Sequence, residues 1–483
     1  MKNQQAKSTL YARALSIALV PGFIACQSQG EQAPSVAETQ VAAQTEVQTE
    51  AQTVSVPTVQ IQTQAQSGVQ LSQAGQLVQV GQTTGGQQSL AMGIPAPVAP
   101  GSVQFASSQP VSVAQPPQPA VAMGPVLPGA HAIDLAICLD TSGSMDGLID
   151  SAKQTLWAIV NDMALVEPAP ALRVALLTFG NDKHSAENGW VLMDSPLTTD
   201  LDLISQKLFA LTTDGGTEYV GRVVDAATRD LDWSTDPNAL KLIVVAGNES
   251  ADQDPTIPFR DASKNAITAG IMVNSIYCGN PMDDIAPAWR EVSLLADGNF
   301  ASIDADNGMI VIDTPFDEEL MALTASVNGT YIPWGEGGAA GCENQWVQDA
   351  NNGSLNGNAI ALRAQSKNSK LYVCSWDLVD ATKNGQVKIE DVDRKFLAEE
   401  LQGMNDEELA AHVEKMSQKR AEIQAQVTEV SAKREAWLAE ERTKRNLDDS
   451  KALDRVMRDA IRSQAATKGI QFQDPAPAAT VTE

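Results

Sequence analysis

The sequence predicts an α/β fold, a doubly wound and mainly parallel sheet followed by an α-helical hairpin region. Three observations predict it. Apolar runs of strand length recur between residues 131 and 305: AIDLAICLD, LRVALLTFG, ALKLIVVAG, IMVNSIYCG and the shorter NFASID. Segments of helical length and amphipathic pattern separate them: GLIDSAKQTLWAIVNDMALV, DLISQKLFALT, EYVGRVVDAATRDL, FRDASKNAITAG and PAWREVSLLADG. Strands apolar throughout, alternating with such helices, belong in a parallel sheet covered on both faces. Further on, Leu409, Met416, Ile423, Val430 and Trp437 recur every seven residues and mark one long helix.

The chain opens with a different kind of segment. Lys2, Lys7 and Arg13 precede the apolar stretch ALSIALVPGFIA, which falls short of the roughly 20 apolar residues that span a bilayer. Residues 1–26 therefore read as a targeting segment. Its end, Phe23-Ile24-Ala25-Cys26, resembles a bacterial lipobox. That resemblance implies lipidation of Cys26, a membrane contact through the lipid, and a place in the bacterial cell envelope. Gln27 is not the aspartate associated with inner-membrane retention, which favours the outer membrane. A plain signal peptide cut elsewhere and an uncleaved anchor are the alternatives. Residues 27–130 are rich in Gln, Val, Ala, Thr and Pro with hardly a bulky side chain. Such a stretch buries too little apolar surface to offset its ordering entropy, so it is expected to be a disordered tether.

After the sheet segment, residues 306–395 read as a Gly-rich connector (TYIPWGEGGAAGCENQW) and a small accessory segment containing NSKLYVCSWDLVD. Residues 396–469 are expected to form the hairpin. Asn405 and Glu408 suit a capping box at the start of its long helix. Arg420 and Arg434 interrupt the apolar seam, which argues against a long homodimeric coiled coil. A second helix near 450–468 carries Leu453, Val456, Met457, Ala460 and Ile461 on one face and stops at Gly469. The tail, 470–483, is expected to be disordered. Cys138 and Cys278 sit in strand-like runs and read as core, whereas a disulfide between Cys342 and Cys374 is left open. The stretch from Asp380 to Asp391 approaches a calcium loop, but its Asn384-Gly385 pair reads better as a plain turn.

Charge and motif content exclude several functions. The formal net charge is −27, with 60 acidic against 33 basic residues, so nucleic acid is not an expected partner. The three histidines are too scattered for a zinc site, and no Cys-x-x-Cys occurs. Nucleophile elbow, phosphate loop and metalloprotease helix are all missing from the sequence, which points away from an enzyme.

The chemistry concentrates where the first strand ends, at Asp140-Thr-Ser142-Gly-Ser144. Helix capping by a serine is the plain reading. The other is a cation site, since serine and threonine hydroxyls are neutral hard donors suited to Mg2+ (or Mn2+ or Ca2+). Asp-x-Ser-x-Ser, followed by Gly215-Gly216-Thr217 in a second loop, resembles the metal-ion-dependent adhesion site of von Willebrand factor type A domains. The resemblance covers about residues 131–305. It implies a cation held by Asp140, Ser142, Ser144 and Thr217, with a position left for an acidic side chain of a protein partner. The family carries a third-loop aspartate where this chain has Gly247; Asn248, Glu249 and Asp252 are the nearby donors that could substitute. The expected function is a non-enzymatic, membrane-anchored binding protein. The alternatives are a metal-independent scaffold acting through its C-terminal helices and an accessory subunit of an envelope maturation machine.

Overall fold

The central strand of the sheet is also the first, β1 (Ala132–Asp140). It pairs in parallel with β2 (Ala171–Phe179) on one side and with β4 (Leu240–Gly247) on the other. β3 (Leu192–Thr198), β5 (Met272–Cys278) and β6 (Phe300–Ile303) complete the order β3-β2-β1-β4-β5-β6. The computed structural model describes residues 131–303, 311–447 and 452–473. The targeting segment with Cys26, the tether and the tail beyond residue 473 lie outside them.

Side chains alternate along β1 as a pleated strand requires. Ile133, Leu135, Ile137 and Leu139 enter one apolar core, while Ala136 and Cys138 enter the other. All pairs are parallel except β2 with β3. That edge strand escaped the sequence reading. LMDSPLT has no continuous apolar run, exposes Leu192 and carries Pro196, features an antiparallel edge tolerates and a central strand does not.

Twelve helices are described: α1 (Asp146–Met163), α2 (Leu201–Ala210), α3 (Val220–Asp230), α4 (Phe259–Thr268), α5 (Ala286–Leu294), α6 (Asp317–Asn328), α7 (Gly338–Leu355), α8 (Gly357–Lys367), α9 (Leu378–Lys383), α10 (Glu399–Gln402), α11 (Asp406–Arg445) and α12 (Leu453–Thr467). α3, α4 and α5 cover one face of the sheet, burying Val223, Phe259 and Trp289. α1, α2 and α12 cover the other. The sheet with its flanking helices, followed by a helical C-terminal region, is the architecture the sequence predicts.

The C-terminal helices differ from expectation in how they pack. α11 begins at Asn405 with the capping box in place, yet its partners are α6, α8 and α9. α12 lies against α1 instead, and its Gln464 exchanges hydrogen bonds of 2.8 and 2.9 Å with Asn274 of β5. The two helices therefore bury their stripes on separate surfaces, and the expected hairpin gives way to this arrangement. Without α12 that side of β5 would present Asn274 and its apolar neighbours to water. The expected connector also holds a long helix, α7. Its glycines permit close approach: a Cβ on Gly341 would lie 2.4 Å from the Trp376 ring. Cys342 on α7 and Cys374 are buried free thiols, so the pairing left open by the sequence is not made. Gln345, one turn beyond Cys342, donates to Cys374 Sγ at 3.8 Å.

Buried cations fasten the outer helices. Arg420 of α11 donates to Asp377 at 2.8 Å, to Asp380 at 2.9 Å and to the Thr330 carbonyl at 2.8 Å. This occupies Asp380 and suits the turn reading of the segment that follows. Arg434 reaches Asp317 at 2.8 Å and Asn358 at 2.9 Å. The arginines that break the heptad seam are thus what ties α11 to its own chain. Arg363 of α8, fully buried, bridges Asp202 of α2 at 2.7 Å and Asp349 of α7 at 2.5 Å. Replacing it with methionine leaves buried carboxylates unmatched, and Arg363→Met is expected to cost about 3–5 kcal/mol in urea unfolding.

Candidate metal centre

Asp140 closes β1 at the carboxyl edge of the sheet, where the chain departs to β2 on one side and β4 on the other. Open α/β sheets bind ligands in the crevice at this switch point. The turn after Asp140 is held from three directions. Ser142 N donates to Asp140 Oδ1 at 2.7 Å, Thr141 N to the Phe179 carbonyl at 2.8 Å, and Gly143 N to the Gly215 carbonyl at 3.1 Å. The last bond joins the first loop to the second. A backbone bridge between Gly180 and Thr217 and the Asn181 amide, bonded to the Thr141 and Thr212 carbonyls, complete the brace.

Ser142 Oγ and Ser144 Oγ lie 3.3 Å apart, and Asn248 Nδ2 donates to Ser144 Oγ at 2.8 Å. No serine caps α1: Met145 precedes it without a side-chain capping bond. The plain capping reading thus finds no support in the turn. Asp140 is fully buried, Ser142 nearly so, and Ser144 opens to solvent. Among the third-loop candidates only Asn248 contacts the serines; its Oδ1 is buried without a hydrogen-bond partner. Glu249 is exposed, and Asp252 is turned aside by Arg260 at 2.6 Å.

The expected aspartate position is filled in another way. A Cβ on Gly247 would stand 3.1 Å from Asp140 Oδ2 and 3.1 Å from the Trp289 ring. Trp289 is fully buried and its indole N–H donates to the Glu249 carbonyl at 2.7 Å, so the third loop is built around it. Nothing local in the sequence singled out that tryptophan.

Sequence reasoning also passed over Glu218, directly after Thr217. Its carboxylate is buried and lies within hydrogen-bonding reach of Asp140 and Ser142. The signal was there, a carboxylate beside the threonine in GGTEYVG. Burial, then the charge of Asp140, pushes the Glu218 carboxyl up to about 9. Burial likewise raises Asp140, against the bonds it accepts from Ser142. At neutral pH the pair therefore holds a proton unless a cation takes its place.

The donor set fits a hard divalent cation. Asp140 Oδ2, Glu218 Oε2 and Asn248 Oδ1 are buried oxygens without hydrogen-bond donors, and the serine hydroxyls stand beside them. No group of three or more His, Cys, Asp or Glu gathers among the described residues, so a cation here would draw its remaining ligands from hydroxyl and amide oxygens. Gly180 guards the arrangement: at φ +81° it has no Cβ, which would fall 2.7 Å from Asp140 Oδ1 and 2.9 Å from Glu218 Cγ. Gly180→Ala is expected to lose about 1–3 kcal/mol, read as a lowered melting temperature, because both the backbone and the two carboxylates must shift.

Comparison with a family model agrees with this architecture. The model of the von Willebrand factor type A domain matches residues 134–288. No curated protein matches the chain. Among solved structures, the chain is similar to proximal thread matrix protein 1 from the mussel byssus with a zinc occupied MIDAS motif, at 15% identity and TM-score 0.30, over 37% of this chain and 43% of that one. It is also similar to the SpRpn10 VWA domain, at 15% identity and TM-score 0.28, over 36% of this chain and 89% of that one. For the pilus adhesin SpaC from Lactobacillus rhamnosus GG the values are 15% and 0.28, over 37% of this chain and 28% of the adhesin. The chain thus spans less than half the length of the mussel protein and of the adhesin. Residues 134–288 are a von Willebrand factor type A domain.

Proposed function

We propose that the chain is a non-enzymatic binding protein whose type A domain captures an acidic side chain of a protein partner through a divalent cation. Asp140, Ser142, Ser144 and Thr217 would hold the ion, with Asn248 in place of the missing third-loop aspartate. Mg2+ is the natural occupant for such oxygen donors, with Mn2+ and Ca2+ as substitutes. When bound, the ion would offer a coordination position that a carboxylate can take. The residues themselves do the positioning. Asp140 is locked by Ser142 N, Ser144 is oriented by Asn248, and the Gly215 carbonyl keeps the second loop against the first.

The observation that carries this reading is the gathering of unpartnered buried oxygens beside the serine hydroxyls, with Ser144 open to solvent, at the sheet's switch point. Type A domains commonly mediate protein–protein contacts or adhesion, in line with it. The packing of the C-terminal helices lends further support. The apolar stripes of α11 and α12 are spent on their own chain, which leaves a scaffold built on those helices without its main docking faces. The same proposal places the chain in the bacterial cell envelope, with a lipid on Cys26 anchoring it to the membrane, the outer membrane in particular.

Ser142→Ala removes one donor and little volume. In pull-downs from envelope extract, a partner retained in Mg2+ should be lost both in EDTA and with Ser142→Ala, while the variant's melting curve stays near that of the parent. Retention indifferent to EDTA and to the substitution would move the function to another surface.

A further inference from the structure

Two buried carboxylates face each other at the switch point, and no basic side chain among the described residues is paired with them. Asp140 is 0% and Glu218 3% exposed, and each keeps one oxygen, Oδ2 and Oε2, without a donor. Three basic side chains of the adjoining loops and helices are committed elsewhere. Lys183 pairs with Asp214 at 3.6 Å, Arg222 with Asp254 at 2.9 Å, and Arg260 with Asp252 at 2.6 Å and Glu291 at 2.7 Å. Elsewhere in the same molecule buried carboxylates are matched, as Asp202 and Asp349 are by Arg363. An unmatched buried charge is costly, and a fold that places two together requires something to neutralise them.

The surroundings are shaped for that purpose. Gly180 leaves room where any side chain would strike both carboxylates, and Gly247 leaves room beside Asp140 Oδ2. The Glu218 backbone N–H is held by Gln253 Oε1 at 3.3 Å, which fixes the start of the side chain. Of the other neighbours, Ser142 Oγ and the unpartnered Asn248 Oδ1 are neutral oxygens, and Glu249 adds negative charge beside Glu218. The buried Cys278 thiol feels the Asp140 charge but is held protonated by burial, so the oxygen donors suit a hard ion.

We propose that Glu218 is a direct anionic ligand of the cation, so that Asp140 and Glu218 together neutralise a divalent ion without help from a partner. This rests on the reading that the turn holds a cation. It changes how the site works. The ion stays bound in the free protein, and a partner's carboxylate meets a locally neutral centre instead of one carrying surplus positive charge. The contact with the partner is then weaker and more readily reversed than at a site with a single carboxylate.

The test is calorimetric titration of Mn2+ into the full chain, with melting curves in EDTA and in Mn2+, for the parent, Glu218→Gln and Asp140→Asn. Glutamine keeps the shape of the side chain and removes its charge. Mn2+ affinity is expected to fall more than about 100-fold in Glu218→Gln, beyond the loss typical of groups that merely support a ligand. In EDTA the melting temperature of Glu218→Gln should stay close to the parent's, because the amide keeps the volume and hydrogen-bonding capacity of the protonated carboxyl it replaces, and its rise on adding Mn2+ should shrink. A misfolded variant would instead melt lower in EDTA. Unchanged Mn2+ affinity in Glu218→Gln, with affinity lost in Asp140→Asn, would overturn the role of Glu218 and leave the cation site standing. No Mn2+ binding by the parent would overturn both.

Discussion

The parallel pairing of β1 on both of its edges is the constraint from which the rest of the molecule follows. With β2 on one side and β4 on the other, the chain must leave the sheet in opposite directions, and a crevice opens at the carboxyl end of β1. Asp140 has to sit there. The loops that follow β2 and β4 come down on either side, and the segment before α3 closes over the front through the Gly143–Gly215 and Gly180–Thr217 contacts. Residues nearly eighty positions apart in sequence thereby share one small volume. A one-residue slip of β1 would turn Asp140 toward the opposite core and dissolve the site.

Burial of charge takes two opposite forms in this protein. In the helical layer each buried guanidinium meets carboxylates at hydrogen-bond distance, with Arg420 on Asp377 and Asp380, Arg434 on Asp317, and Arg363 on Asp202 and Asp349. Those pairs specify which helix lies on which, since the wrong docking would strand a charge in a dry place. At the switch point the carboxylates of Asp140 and Glu218 meet each other, neutral groups and the further negative charge of Glu249. The contrast within one chain makes the second arrangement meaningful. The fold has arginines to spend, and it spends none on that pair.

The path of the chain after β6 accounts for the size of the helical layer. Helices α6 to α11 form an excursion, after which α12 returns to cover the face of the sheet beside α1. Asn274 on β5 and Gln464 on α12 satisfy each other inside an otherwise apolar contact, which fixes the register of the returning helix. The sheet domain is therefore finished by residues that lie far beyond the segment matched as type A. The helical layer is bound between β6 and the helix that covers the sheet.

How much was legible in the sequence depended on whether the determinant was local. The five apolar runs, the helices between them, the capping box at Asn405 and the turn at Asp140 are written in side-chain period and in short motifs, so the fold class and the place of the site could be read directly. The candidate cation-site residues Asp140, Ser142, Ser144 and Thr217 were named from the resemblance of their motif to an adhesion site, and the structure brings their loops together. What sequence could not supply was anything settled by contacts across the chain. β3 is held by β2 despite its weak pattern. α7 forms through its glycines because Pro333 and Trp376 need the space. α11 and α12 separate because their arginine and glutamine partners lie on other elements. At the site itself, the exclusion of Asp252 by Arg260, the occupation of the Gly247 side by Trp289 and the meeting of Glu218 with Asp140 are all distances between residues remote in sequence, and distances of that kind exist only once the chain has folded.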